Sequence, residues 1–102
     1  MVLTVSVAYT LEEAYRRVDR GEIDVVGATI VIDNLTNDVR GTRLRPAVSP
    51  QKLVHLVDLL QKRLRQAGAA DIVVCQLKPM QILDVTPYNT VLSNYLCNER
   101  DA

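Results

Sequence analysis

Residues 23–38 read IDVVGATIVIDNLTND. Val25, Val26, Ile30, Val31 and Ile32 make the first part almost unbroken aliphatic sequence, which then gives way to Asn34, Thr36, Asn37 and Asp38. A continuous β-branched run of this kind is the pattern of a strand covered on both faces, as in a parallel sheet between helices. Gly27 marks a bend or bulge near its start. The polar residues mark the strand's carboxyl end. Residues 34–48 read as a loop, long for a connection inside a small domain and of the kind that carries function.

Working outward, 2-VLTVSVA-8 alternates β-branched and small residues and predicts a first strand. Thr10 follows as an N-cap with Glu13 three residues on, a capping box that opens a helix over about 10–20, closed by Gly21. The clearest helix is 49-SPQKLVHLVDLLQKRLRQAG-68. Ser49 is its N-cap and Pro50 its first residue. Leu53, Leu56, Val57, Leu60 and Leu64 form one apolar stripe, and Gly68 ends it. Residues 71-DIVVCQLKP-79 predict a third strand, the segment to 86 a loop, and Thr86-Pro87 the start of a last helix. The order strand–helix–strand–helix–strand–helix defines a single α/β domain over 1–102. It predicts a small parallel sheet, right-handed crossovers and a flavodoxin-like three-layer arrangement of flanking helices.

Twelve basic and twelve acidic residues give zero net charge, which argues against nucleic acid as the main partner. Four Tyr with no Phe or Trp offer no base-stacking platform. Cys75 and Cys97 form no CxxC and no metal-type cluster, and Cys75 sits in an apolar run as a reduced thiol. There is no signal peptide and no apolar stretch of about 20 residues, so the expectation is a cytoplasmic protein without a membrane span. No cofactor or metal is implied by any motif, and Gly27 and Gly41 stand alone rather than in a phosphate loop.

Ligands of open α/β sheets bind beyond the carboxyl ends of the strands. The segments leaving those ends are 34–48 and 78–86. An Asn just past a buried strand is placed to donate N–H into a cleft, the type of group that stabilises an oxyanion. Asn-Asp is equally ordinary turn chemistry. The aliphatic run 29-TIVID-33 followed by 35-LTND-38, then an amphipathic helix and a second apolar strand, resembles the SGNH, or GDSL-like, hydrolases, whose third block is Gly-x-Asn-Asp at a strand end. The resemblance covers about residues 23–97 and implies an SGNH-like α/β esterase fold. By it, Asn37 is the oxyanion donor and Asp38 shapes the loop.

The chain departs from that pattern. Leu35 replaces the block's glycine. No Gly-Asp-Ser nucleophile block is present, since Ser6 has no acid before it, and no Asp-x-x-His follows. By this comparison the chain corresponds to the central part of such a domain, incomplete at both ends and inactive as an ester hydrolase. The single histidine, His55, falls on the solvated helix face with Asp58 at i+3 rather than beside a nucleophile.

A different class of function remains: a non-catalytic binding or protein-interaction module using the 34–48 and 78–86 segments. Thr36, Arg40, Arg43 and Lys78 would then hold a small ester or anionic ligand, or a protein partner, with Arg45 nearby. Lys78 has Asp38 or Asp84 as alternative ion-pair partners. Asp33, Asp38 and Asp84 would form a Mg²⁺ site only if the fold gathered them. Ser49 also stands where small regulatory domains of the anti-sigma-antagonist kind carry a phosphorylatable serine. A three-stranded sheet has two edges to protect, so self-association or a completing chain segment is expected.

Overall fold

The computed structural model describes residues 2–5, 10–33, 35–40, 48–79 and 83–101. The elements in chain order are β1 (Val2–Val5), α1 (Leu11–Asp19), β2 (Thr29–Ile32), α2 (Thr36–Val39), α3 (Pro50–Gln66), β3 (Asp71–Val74) and α4 (Thr86–Asp101). The strands form one parallel sheet in the order β1-β2-β3. The class read from the sequence, α/β with a small parallel sheet and flanking helices, is the observed one.

Local signals account for the helices. Thr10 accepts the Glu13 N–H through its hydroxyl and starts α1. Glu13 does not complete a reciprocal box with Thr10 among the described residues. Its carboxylate instead pairs with Arg16 and Arg17 one turn on. Ser49 caps α3 by accepting the Lys52 N–H, with Pro50 in the first turn. Gly68, at φ +100°, turns the chain out of α3, a conformation an L side chain resists. At α4 the capping differs from expectation. Thr86 is already helical, and the Asp84 carboxylate accepts its N–H two residues on.

β2 and β3 are shorter than their apolar runs. β2 is only Thr29–Ile32 because Asp24 accepts the Val26 N–H and Gly27 takes φ +71°, making residues 24–27 a turn. Val25 is buried there while Val26 is 68 % exposed. The expected burial of both strand faces is also corrected. Ile30 and Ile32 lie in the core, but the alternate residues Thr29 and Val31 are only half-buried. In β3, Ile72 and Val74 are half-buried, Asp71 is exposed and Val73 is 44 % exposed. A run of β-branched residues satisfies either pattern, so only the packing distinguishes them.

α3 is the hub. Leu53, Leu56, Val57, Leu60 and Leu64 are buried as the stripe predicts, and α3 packs against both α1 and α4. Arg63 pairs with Asp19 of α1 at 3.0 Å. The stripe also holds a polar member, Gln61, 2 % exposed. Its amide nitrogen donates to the Tyr95 hydroxyl at 3.1 Å and to Glu99 at 3.0 Å, and Arg65 donates to its oxygen at 3.3 Å. Such satisfaction is what lets a buried amide stand in an apolar seam. Tyr88 donates to the Val48 carbonyl at 2.7 Å, tying α4 to the entrance of α3.

Candidate functional site

The carboxyl ends of β2 and β3 lie side by side: Ile32 pairs with Val74, and the Cys75 N–H donates to the Ile32 carbonyl at 2.9 Å. The chain leaves these ends through exposed Asp33 on one side and through Leu77 and exposed Lys78 on the other. The segment after β2 is not a loop throughout. Leu35 and Val39, four apart and both buried, bring Thr36–Val39 into the helical turn α2. That i,i+4 apolar pair was the signal in the sequence for it.

Asp38, on α2, is 3 % exposed. Both its carboxylate oxygens lie within reach of the Leu11 N–H, at 3.3 and 3.2 Å. Leu11 is the first residue of α1, so a buried carboxylate sits on the positive end of that helix. The expectation that Asp38 shapes the loop gains a specific form here: it ties α2 to α1. The Leu11 contact is long-range, since 27 residues separate the partners.

The other expected site residues fall as follows. Thr36 is half-buried and its carbonyl accepts the Arg40 N–H at 3.0 Å. Arg40 and Lys78 are exposed, and neither makes an ion pair among the described residues. Lys78 pairs with neither Asp38 nor Asp84, whose carboxylates are engaged by the Leu11 and Thr86 N–H groups. That hydrogen bond holds the Asp84 carboxyl below its ordinary range. Asn37 belongs to the α2 backbone, but its side chain lies outside the described residues, as do Arg43 and Arg45. Among the described residues no three His, Cys, Asp or Glu side chains gather as metal ligands, so Asp33, Asp38 and Asp84 do not form the Mg²⁺ cluster weighed above.

Ser49, Ser93 and Cys75 have structural surroundings. Ser49 is spent as the α3 cap and Ser93 accepts the Gln76 amide at 2.8 Å. Burial, and then the neighbouring Asp33 carboxylate, push the Cys75 thiol up. A thiol shifted that way is less nucleophilic at neutral pH. Ser6 lies outside the described residues. His55 is exposed and lines a groove of about 370 Å³ between α1 and α3, with Leu11, Tyr15, Lys52 and Leu56. A second groove, of about 420 Å³, lies along β3.

One contact had no local sequence signal. The Asn89 side chain of α4 takes the Leu77 N–H at 2.8 Å and donates to the Leu77 carbonyl at 3.1 Å. An amide side chain thereby pairs with the backbone as a neighbouring strand would, and fixes the segment leading to Lys78.

The described residues form a small α/β domain in which Asp38, after β2, and Leu77, after β3, are held by long-range hydrogen bonds. Comparison with family models, with curated proteins and with solved structures finds no match for this chain. Among the described residues no helix is long and apolar enough to cross a membrane.

Proposed function

We propose that this chain is a non-catalytic binding module whose contact surface is the rim beyond the carboxyl ends of β2 and β3. One observation carries the reading. The carboxylates of Asp38 and Asp84 are committed to backbone N–H groups, while the cations of Arg40 and Lys78 carry no ion pair among the described residues. Exposed Asp33 also stands on this rim, but with Asp38 and Asp84 engaged by backbone N–H groups, Arg40 and Lys78, without an ion pair among the described residues, are the cations it offers to an anionic partner. Arg40 and Lys78 would be the contacts, with Thr36 one helical turn before Arg40 and Arg43 following in sequence.

On this reading the likeness of 35-LTND-38 to the SGNH hydrolases is one of scaffold rather than of ester chemistry. The Asp38 carboxylate already lies against the N-terminus of α1, and His55 faces the α1–α3 groove. Two measurements test the proposal. Fluorescence anisotropy with a labelled hexaglutamate peptide should give binding at low salt that weakens in Arg40→Ala and Lys78→Ala and falls steeply as ionic strength rises. Turnover of a short-chain p-nitrophenyl ester should not exceed the buffer rate. Turnover abolished by Asn37→Ala would overturn the proposal in favour of an esterase.

A further inference from the structure

We infer that the outer edge of β3 accepts an extended, aliphatic strand from a partner polypeptide, a second contact surface separate from the anion-attracting rim. Among the described residues β3 has one neighbour in the sheet. The Asp71 N–H reaches the Ala28 carbonyl and the Cys75 N–H the Ile32 carbonyl. In a parallel ladder the residues two apart share that direction, so Asp71, Val73 and Cys75 turn their backbone groups to β2. Ile72 and Val74 turn theirs outward. The Ile72 N–H is taken by the carboxylate of Asp71 at 2.9 Å. The Val74 N–H and the carbonyls of Ile72 and Val74 have no hydrogen-bond partner among the described residues. One donor and two acceptors in strand spacing match another extended backbone and nothing else so closely.

The surroundings fit the same occupant. The groove of about 420 Å³ beside this edge is lined by the half-buried Ile72 and Val74 and by Leu96 of α4, and the Arg65–Glu99 pair closes it. An added strand places every second side chain against Ile72, Val74 and Leu96. Its other side chains extend the sheet face that carries the exposed Val73. Exposed Asp71 stands at the start of the edge, so a basic residue at the strand's end complements it. A lone strand fits better than a second complete copy. α4 already lines the groove through Leu96 and Glu99, and a copy joined edge to edge would bring its own α4 into the same space.

The test uses the full chain and the peptide acetyl-KVTVTVTK-amide, followed by NMR chemical shifts and amide exchange. Binding should shift Ile72, Val73, Val74 and Leu96 and slow exchange of the Val74 amide. Val74→Pro removes the outward N–H without touching the bonds to β2, and should weaken binding roughly tenfold. Leu96→Gln should weaken it through lost apolar contact, with circular dichroism checking that each variant folds. Arg40→Ala should leave this binding unchanged, which separates it from the rim. Shifts confined to another surface, indifference to both groove variants, or no binding at millimolar peptide would overturn the inference. So would a dimer of the free protein, seen by sedimentation equilibrium, that Val74→Pro dissociates, since the edge would then belong to a second copy.

Discussion

The carboxylate of Asp38 lies 3.2 Å from the backbone N–H of Leu11, 27 residues earlier, and joins the turn after β2 to the first residue of α1. A buried charged acceptor of this kind serves two ends at once: it satisfies an N–H left open at a helix start, and it fixes where α2 sits. Asp38→Ala should destabilise the protein by about 2–3 kcal/mol, because the Leu11 N–H loses its acceptor. Asp38→Asn, which keeps the shape but not the charge, should cost less. Urea denaturation of the three proteins checks the order, and equal stability of wild type and Asp38→Ala would refute it.

The Tyr95 hydroxyl donates to Asp58 at 2.8 Å and accepts from Gln61 at 3.1 Å. Burial raises the Tyr95 phenol well above its ordinary range, and the Asp58 hydrogen bond adds to the shift. A group whose folded pKa is raised contributes stability that is complete below its unfolded value, about 10 for tyrosine, and lost as pH climbs toward the folded one. Tyr95→Phe should therefore cost about 1–2 kcal/mol at neutral pH. It should also reduce the loss of stability above about pH 10. Thermal melts across the alkaline range measure both effects.

The two thiols should differ in reactivity. Cys97 is exposed, whereas Cys75 is half-buried with its thiol pushed up by burial and by Asp33. Iodoacetamide at neutral pH should modify Cys97 first, as read by peptide mass mapping. Asp33→Asn removes the neighbouring negative charge and should speed Cys75 labelling without changing that of Cys97. Faster labelling of Cys75 in the wild type would contradict the assignment.

Ser49 accepts the Lys52 N–H at 3.2 Å. Ser49→Ala should cost about 1 kcal/mol, and Ser49→Asp should recover most of it, since aspartate caps as well as serine. A regulatory serine of the anti-sigma-antagonist kind would respond differently: Ser49→Asp would alter partner binding while stability stayed level. Chemical denaturation together with the hexaglutamate titration tells the two apart.

The long helices α1, α3 and α4 were legible in the sequence, whereas the short α2 falls in a stretch that reads as a loop. Thr10, Ser49 with Pro50, and the leucine stripe of α3 each act over four residues or fewer, through hydrogen bonds and side-chain spacing that the chain carries locally. The alternation of elements was enough to give the α/β class and the parallel sheet. What the sequence could not settle were interactions between segments far apart in the chain. Val25–Ile32 reads as one strand covered on both sides, yet which faces are buried depends on where α1, α3 and α4 pack. Gln61 can stand buried on α3 only because Tyr95, Glu99 and Arg65 meet its amide. Asn37-Asp38 reads as a turn or a catalytic block, and only the approach of α1 makes Asp38 a clasp between helices. Local chemistry set the elements; the desolvation of a few polar groups at their junctions, which exists only once the segments meet, decided how the strand-end rim is built.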